Sequence, residues 1–497
     1  FFAVMVGVGF YSRRHVNSVD GFVLGGRSVG PWLTAFAYGT SYFSAVVFVG
    51  YAGQFGWKYG IASTWIGIGN ALIGSLLAWV ILGRRTKVMT QHLSAKTMPD
   101  FFGQRYGSKA LKIVASVIVF VFLIPYTASV YNGLSRLFGM AFNIPYTWCV
   151  IAMAVFTAIY VILGGYMATA INDFIQGIIM LFGIVAVIAS VLNGQGGFME
   201  AVSKMAQIPS DVPATMGQPG AFTSFFGPDP LNLLGVVILT SLGTWGLPQM
   251  IGKFYAIKDE KSINTGTVIS TLFAIVISGG CYFLGGFGRL FDSAEIYNAE
   301  TGAVVYDSII PSMLSKLPDI LIGIVVVLVL SASMSTLSSL VLTSSSTMTL
   351  DLLKDNIMKE MSEKKQIITM QILIVFFIVV SVVIALDPPT FIAQLMGISW
   401  GALAGAFLAP FLYGLYWKGV TRAGVWAGFI AGVGITVSNM FIGYIASPIN
   451  AGAAAMVAGL VIVPLVSLVT PKLKKEDVDE IFTCYEEKVV STKKRNL

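Results

Sequence analysis

Hydroxyl-bearing side chains are concentrated in one apolar stretch, residues 318–347, which contains the run SASMSTLSSLVLTSSST. Residues three or four positions apart share a helix face, and the members of that face are Ala332, Ser335, Ser338 and Ser339, with Thr336 beside it. Several oxygen atoms presented together suit a hard cation such as sodium, which prefers oxygen ligands. The alternative is that each hydroxyl bonds to a carbonyl of its own helix and needs no ligand.

A second polar interruption lies in residues 31–53, PWLTAFAYGTSYFSAVVFVGYAG. The interrupting residues fall near the middle of this apolar stretch and are Gly39, Thr40, Ser41 and Ser44. They predict a helix that is broken there, and unwinding frees carbonyl oxygens and helix ends that coordinate a cation or a carboxylate. Close packing between membrane helices, which small residues also permit, is the competing interpretation.

Another interruption lies at residues 239–250, LTSLGTWGLPQM, where Gly243, Gly246 and Pro248 punctuate an apolar stretch. Proline inside a helix removes a backbone hydrogen bond and opens the local geometry. This stretch comes five apolar stretches after the first interrupted one, which is the spacing that an inverted repeat of five helices requires. The two halves show no residue-level similarity that would support the repeat independently.

Asp173 is an acidic residue within an apolar stretch, in the sequence TAINDFIQGIIM. A charge inside a membrane is costly and needs a partner. It can contribute to a cation site with Ser338 and Ser339, or it can lie at an interface, exposed to water or capping a helix. Spacing alone does not separate these interpretations.

These residues belong to a chain whose composition is that of an integral membrane protein. Of its 497 residues, 56% are hydrophobic and only 11% are charged, which leaves too little polar surface for a soluble protein of this size. A helix of about 20 apolar residues spans the hydrocarbon core of a lipid bilayer. About thirteen such stretches are predicted, at 1–12, 31–53, 61–83, 111–140, 145–163, 166–193, 231–256, 262–288, 318–347, 366–386, 391–417, 420–443 and 450–471. Because Phe1 already lies in an apolar run, we expect the first helix to be incomplete.

Lys and Arg fall in alternate connections, and short cytoplasmic connections are enriched in these residues. The basic connections include Arg13 and Arg14, the region 84–109, Lys253 with Lys258 and Lys261, the region 354–365, and Lys418 with Arg422. We expect these connections and a tail at 472–497 to face the cytoplasm, which places the N-terminus outside if the number of crossings is odd. The net charge of +7 then needs no nucleic acid to explain it.

The sequence gives little support for an enzyme. Cys149, Cys281 and Cys484 are far apart and form no disulfide or zinc pattern, and His15 and His92 lie in polar connections. No HExxH motif, paired intramembrane aspartate or Walker lysine accompanies the apolar stretches. A channel is disfavoured because no repeated filter is visible, and a solute sensor is less favoured because the short tail offers no signalling module.

Five runs resemble the sodium:solute symporter family, which includes bacterial sodium/proline symporters. They are FVLGGRSVGPWLTAFAYGTSYFSA at 22–45, GGYMATAINDFIQG at 164–177, GTWGLPQMIGKFYAIKD at 243–259, SASMSTLSS at 331–339 and AFLAPFLYGLYWKGVTRAGVWAG at 406–428. The resemblance implies an all-α integral membrane protein with a LeuT-like fold. Its transmembrane domain would cover 1–471, with inverted repeats at about 31–193 and 231–417 and additional helices at about 1–12, 420–443 and 450–471.

The resemblance also implies where ions bind. A sodium site shared within the family joins the first and eighth helices of the repeats, and its ligands fall here on Thr40, Phe43 and Ala332 through backbone carbonyls and on Ser335 and Thr336 through hydroxyls. Some members have a second sodium site, which is matched here by Asp173, Ser338 and Ser339. The expected ion is therefore Na⁺, with one or two sites.

A solute cavity is implied as well, lined by Ser41, Tyr42, Ser44, Tyr126 or Tyr131, Thr244, Trp245, Gln249, Ser399 and Trp400. The chain departs from the proline carriers because Tyr42 replaces an acidic residue, and Thr240 and Thr244 replace aromatic ones. Proline specificity therefore does not follow. The expected function is sodium-coupled import of a small organic solute, an amino acid such as proline or a small carboxylate, across a bacterial plasma membrane. A proton-coupled carrier, in which Asp173 carries the proton, is the alternative.

Overall fold

The computed structural model of the chain describes residues 1–387 and 391–486, so the end of the tail predicted at 472–497 lies outside the described residues. Regular structure in the described residues is helical, apart from two isolated bridges. Ten described segments are long and apolar enough to cross a membrane: Val46–His92, Lys109–Gly139, Tyr146–Gly194, Pro230–Ala256, Glu260–Gly285, Asp319–Ile357, Glu363–Leu386, Ile392–Tyr416, Arg422–Ile442 and Pro448–Val469. The count of thirteen crossings stays a prediction.

The two longest of these segments are each divided by a glycine. Tyr146–Gly194 has 49 residues, and a straight helix of that length would be about 75 Å long, against a hydrocarbon core of about 30 Å. The segment is divided at Gly165, whose φ of 53° and ψ of −143° are accessible mainly to glycine. Val46–His92 is divided in the same way at Gly60, with φ of 62°. Both divisions fall where the sequence predicts a boundary between apolar stretches.

Both interrupted stretches form broken helices, as their glycine, serine and proline residues predict. The first broken helix consists of Pro31–Tyr42, an unwound turn, and then Val46–Tyr51 and Ala52–Tyr59. The second broken helix consists of Pro230–Leu242, the tight turn Gly243–Trp245, and Pro248–Ala256. The start of the first is joined to the end of the second, since Val29 N donates to Ala256 O at 3.1 Å and Lys258 N donates to Val29 O at 3.0 Å.

Two further helices surround these breaks. The serine-rich helix, Asp319–Thr347, continues as Met348–Ile357 and packs against Tyr146–Gly194, Lys109–Phe142 and the first broken helix. Helix Ile392–Tyr416 packs against the turn Gly243–Trp245. Both are buried over most of their length, which explains why their apolar residues are not confined to one stripe.

Shorter helices lie at the ends of these segments and in the connections. They are Phe2–Ser12, Val19–Leu24, Met98–Arg105, Phe198–Ala206, Ile309–Leu314 and Lys475–Phe482. Two of them begin at a hydroxyl that caps the first turn, because Ser18 accepts from Gly21 N and Thr97 accepts from Asp100 N.

Candidate cation and solute site

The first broken helix unwinds at Phe43, whose φ of −112° and ψ of 95° are extended. Ser44 begins its second half, since the Ser44 hydroxyl accepts from Val46 N at 3.1 Å and the Ser44 carbonyl accepts from Phe48 N at 3.1 Å. In a continuous helix the Thr40 carbonyl would accept from the N–H four residues later, and the extended turn removes that donor. The Thr40 carbonyl is therefore available to a group from another helix.

Two hydroxyls of the serine-rich helix lie at that carbonyl. Ser335 Oγ is 3.0 Å from both the Thr40 and the Ala332 carbonyl oxygens. Thr336 Oγ1 is 3.2 Å from the Thr40 oxygen and 3.1 Å from the Ala332 oxygen. We call these four buried oxygen atoms the oxygen cradle. They carry no formal charge, and their chemistry fits a hard monovalent cation.

The structure thus brings together four of the five residues predicted for the first sodium site. The fifth, Phe43, is buried in the extended turn, and its carbonyl is not a recorded partner of either cradle hydroxyl. The competing interpretation, in which the hydroxyls bond only to carbonyls of their own helix, describes half of their contacts. The Ala332 carbonyl does belong to the serine-rich helix, but the Thr40 carbonyl comes from the first broken helix.

The residues predicted for a second sodium site do not form a comparable cluster. Asp173 is fully buried, and neither carboxylate oxygen has a well-aligned hydrogen bond among the described residues, although the Thr40 hydroxyl lies close enough to interact with the carboxylate. Ser338 donates to the Ser335 carbonyl at 2.9 Å. Ser339 Oγ lies 2.8 Å from Ser41 Oγ and accepts from Lys253 Nζ at 2.9 Å. An ammonium group is therefore bound to one of the predicted sodium ligands.

The prediction that Lys253 lies in a basic connection between helices is wrong. Lys253 lies instead within helix Pro248–Ala256, where only 3% of it is exposed, with the ammonium 5.3 Å from the centre of the Tyr166 ring. Lys253 and Asp173 interact electrostatically with each other. The apolar neighbours Ile251 and Phe254 were the available signal that this lysine is not in a loop.

Six of the residues predicted to line a solute cavity already have protein partners. The Ser41 hydroxyl contacts the Ser339 hydroxyl, and the Ser44 hydroxyl accepts from Val46 N. Tyr42 donates to the Thr240 carbonyl, and Ser399 donates to the Phe122 carbonyl. Thr244 donates to Gly74 O at 3.0 Å, and Trp245 donates to Ile73 O at 2.9 Å. These acceptors lie in Asn70–Leu77, a π-helical stretch, and such stretches leave carbonyls for outside donors.

The other four have buried polar atoms without a well-aligned partner among the described residues: the hydroxyls of Tyr126 and Tyr131, the indole N–H of Trp400 and the side-chain amide of Gln249. The Tyr126 hydroxyl nevertheless lies close enough to the Ser44 and Trp400 side chains to interact with both. Tyr126 packs edge-on to Trp400 at 5.9 Å between ring centroids, and Trp400 lies 6.0 Å from the Tyr42 ring beside the break. Buried polar atoms normally have partners. This aromatic group therefore offers hydrogen bonds to a solute.

The positions of Tyr131 and Tyr51 differ from the expectations based on the sequence. Tyr131 neighbours Tyr160, whose hydroxyl donates to Met334 O at 2.7 Å, rather than the aromatic group. Of the two tyrosines predicted as alternatives, Tyr126 is the one beside Trp400. Tyr51 was missed: it is buried in the first broken helix, its hydroxyl lacks a partner among the described residues, and it interacts with Tyr126.

A small cavity adjoins this region. It has a volume of about 50 Å³ and is lined by Gln249, Lys253, Ser339, Thr343, Thr347 and Lys96, among others. Lys96 forms an ion pair with Asp20 at 3.0 Å, and both side chains are partly exposed. The cavity therefore extends from the buried Lys253–Ser339 contact toward the surface at Lys96.

Comparison with known proteins agrees with this architecture. The sequence profile of the Sodium:solute symporter family matches residues 22–432. The chain is 30% identical over 495 residues to the sodium/proline symporters of Staphylococcus aureus strains JH9 and NCTC 8325 / PS 47, which covers 96% of this chain and 92% of each relative.

Solved structures show the same fold at low identity. A Na⁺-coupled sialic acid symporter in a substrate-bound outward-open state is 14% identical, with a TM-score of 0.74 over 95% of this chain and 97% of that one. Mhp1, a nucleobase-cation-symport-1 family transporter in a closed conformation, is 12% identical, with a TM-score of 0.54 over 93% of this chain and 98% of that one. The predicted all-α, LeuT-like fold is confirmed.

Family membership also settles the class of protein, because the matched relatives are membrane transporters and not enzymes. The match covers the first broken helix, the second broken helix and the serine-rich helix. The chain therefore belongs to the sodium:solute symporter family and is a sodium-coupled symporter.

Proposed function

We propose that this chain imports an amino acid such as proline, or a small carboxylate, together with sodium by alternating access. The observation that carries the proposal is the oxygen cradle, which joins the unwound turn of the first broken helix to the serine-rich helix. A sodium ion bound there holds the two helices in one arrangement and so completes the solute site beside the break. Sodium then raises solute affinity by the factor by which solute raises sodium affinity.

The solute site is supported by buried polar atoms that have no well-aligned hydrogen bond among the described residues. Tyr126, Gln249 and Trp400 offer a hydroxyl, an amide and an indole N–H, and the second half of the first broken helix starts at the same break. The N-terminal end of a helix favours an anionic group. A carboxylate held at the break, with the rest of a small solute against the aromatic rings, fits this arrangement.

The direction of transport follows from the driving forces at a plasma membrane. A negative-inside potential is worth roughly 2.3 kcal/mol per charge per 100 mV, and it favours inward movement of a sodium ion. The distribution of lysine and arginine supports a cytoplasmic C-terminal tail and an external N-terminus.

Reconstituted full-length protein tests this proposal directly. Uptake of radiolabelled proline and of a panel of amino acids and small carboxylates would be measured under an inward gradient of sodium, potassium or protons. We expect one solute class to accumulate under the sodium gradient alone, and lowering the membrane potential should slow its uptake.

A proton-coupled carrier is the second candidate, and the complete burial of the Asp173 carboxylate, with no well-aligned hydrogen bond among the described residues, favours it. It predicts uptake under a proton gradient without sodium, and loss of that uptake in Asp173→Asn. Such a result would overturn sodium coupling.

A further inference from the structure

The site beside the oxygen cradle contains its own positive charge. Asp173 is fully buried, and its carboxylate oxygens have no well-aligned hydrogen bond among the described residues beyond an interaction with the Thr40 hydroxyl. A buried carboxylate with so few hydrogen bonds requires a nearby cation or must take up a proton. The charged side chain that acts on Asp173 is Lys253, whose ammonium lies beyond ion-pair distance from the carboxylate.

Lys253 reaches this position from the second broken helix. Its side chain extends from Pro248–Ala256 toward the serine-rich helix, where the ammonium donates to Ser339 Oγ at 2.9 Å. Ser339 in turn contacts Ser41, one residue before Tyr42 at the end of the first half of the first broken helix. The ammonium thus links both broken helices to the serine-rich helix.

A free cation and this ammonium would compete for the same ligands. Ser339 is an expected sodium ligand, and its oxygen already accepts from Lys253. Two positive charges in contact with one hydroxyl oxygen repel each other strongly where water is excluded. Only one of the two cations is therefore expected beside Asp173 and Ser339 at a time.

Lys253 does not compete with a sodium ion for the oxygen cradle. The hydrogen bonds of the cradle join Ser335 and Thr336 to the carbonyls of Thr40 and Ala332, whereas the Lys253 ammonium donates to Ser339. A sodium ion in the cradle would supply the positive charge that its oxygen atoms lack. The ammonium at Ser339 leaves that position free.

We propose that Lys253 is a tethered cation that takes the place of a second sodium ion at Asp173 and Ser339, so that one sodium ion moves with each solute. The inference rests on the proposed sodium coupling and sets its stoichiometry. Lys253 is a positioning residue. It balances the charge of Asp173 and holds Ser339.

Equilibrium binding of ²²Na⁺ to the purified full-length protein tests the stoichiometry without knowledge of the solute. We expect the wild type to bind one sodium ion per chain with a Hill coefficient of about 1. In Lys253→Met the charge of Asp173 is left unbalanced, and a second sodium ion should bind. The double variant Lys253→Met with Asp173→Asn should return to one ion.

Two matched variants keep the result interpretable. Lys253→Arg retains the charge and should bind one ion, which shows that charge and not lysine length is required. Lys87→Met removes another buried lysine, whose ammonium donates to the Tyr255 carbonyl at 3.2 Å rather than to Ser339, and should also bind one ion.

Each alternative outcome has a separate meaning. Two sodium ions per wild-type chain would overturn the tethered cation while leaving sodium coupling intact. The same conclusion would follow if Lys253→Met, eluting as a monodisperse species, bound one ion with unchanged affinity. A wild type that binds no sodium would overturn the proposed function itself, together with this inference.

Discussion

The serine-rich helix presents a pair of hydroxyls, Ser335 and Thr336, and one turn later the hydroxyl of Ser339, and the pair and the single hydroxyl have different partners. Ser335 and Thr336 lie against backbone carbonyls, whereas Ser339 accepts a hydrogen bond from the Lys253 ammonium. The surroundings of Ser335 and Thr336 include no positive charge among their hydrogen-bond partners, whereas Ser339 is already bound to the Lys253 ammonium. A serine-rich run therefore predicts a polar helix face, but the neighbouring helices decide whether that face binds a free ion or a protein cation.

Removal of both cradle hydroxyls should have the largest effect. In Ser335→Ala with Thr336→Ala, two of the oxygen atoms around the expected ion are lost, and contacts to a charged group are worth about 1.5–3 kcal/mol each. We expect the sodium concentration for half-maximal solute uptake to rise by about 100-fold or more. Sodium titrations of initial uptake rates in proteoliposomes, at constant ionic strength, would measure this change.

Ser333→Ala is the matched control for this double variant. Ser333 lies on the same helix and is buried, but its hydroxyl has no partner among the described residues. Sodium dependence should stay within about two-fold of the wild type, because no contact in the cradle is changed. If Ser333→Ala and the double variant shift sodium dependence equally, the distinction between the pair of hydroxyls and the Ser339 hydroxyl fails.

A smaller effect is expected for the tyrosine hydroxyl beside Trp400. Tyr126→Phe keeps the ring that packs on Trp400 and removes only the hydroxyl, which lies near the Ser44 and Trp400 side chains without a well-aligned hydrogen bond among the described residues. We expect solute affinity to fall by about 10-fold, which corresponds to about 1.4 kcal/mol. Sodium binding without solute and the Tm should not change. Isothermal titration with solute, isothermal titration with sodium alone and thermal denaturation would measure these three quantities.

Tyr42→Phe provides the contrast, because the Tyr42 hydroxyl donates to the Thr240 carbonyl. Its loss leaves a buried acceptor without that bond and should lower the free energy of unfolding by about 1 kcal/mol. If Tyr126→Phe lowers the Tm and leaves solute affinity unchanged, Tyr126 is a packing residue and the solute cavity lies elsewhere.

Much of the fold follows from the sequence because membrane burial imposes a simple pattern. Long apolar stretches predict the crossings, and Gly39 with Ser44, or Gly243 with Pro248, predict the breaks because these residues weaken a helix locally. Gly243 has a further role that sequence alone does not show: a Cβ there would lie 2.5 Å from the Trp400 ring. The close approach of helix Ile392–Tyr416 thus also requires glycine.

The candidate site was less predictable because it depends on contacts between distant segments. Spacing along the serine-rich helix identifies Ser335 and Thr336, but it contains no information about which helix lies opposite Ser339. Counting basic residues assigns Lys253 to a connection, since the rule cannot distinguish a buried lysine near a helix end from an exposed one. Tyr51 was missed for a related reason, because one tyrosine in an apolar stretch resembles any other packing residue.

Asp307 offers a buried carboxylate outside the membrane segments for comparison with Asp173. It lies in the turn Tyr306–Ser308, is 1% exposed, and accepts from Ile392 N at 3.3 Å through one oxygen. Burial raises the pKa of Asp307 to about 6, although the Arg136 guanidinium acts in the opposite direction. Between its unfolded pKa near 4 and this value the folded protein binds more protons. Its contribution to stability therefore falls as pH rises from about 4 to about 6 and is constant above.

The two carboxylates should consequently respond to neutralisation with opposite signs. Asp307→Asn keeps an oxygen for Ile392 N and removes a buried charge, so its Tm relative to the wild type should be unchanged near pH 4 and higher by a few degrees at pH 7. Asp173→Asn should lower the Tm at pH 7, because it leaves the Lys253 ammonium buried without its counter-charge. Thermal denaturation of both variants across this pH range would measure the difference. A pH-independent Tm difference for Asp307→Asn would show that Arg136 already neutralises the carboxylate, and a raised Tm for Asp173→Asn would show that Lys253 does not balance Asp173.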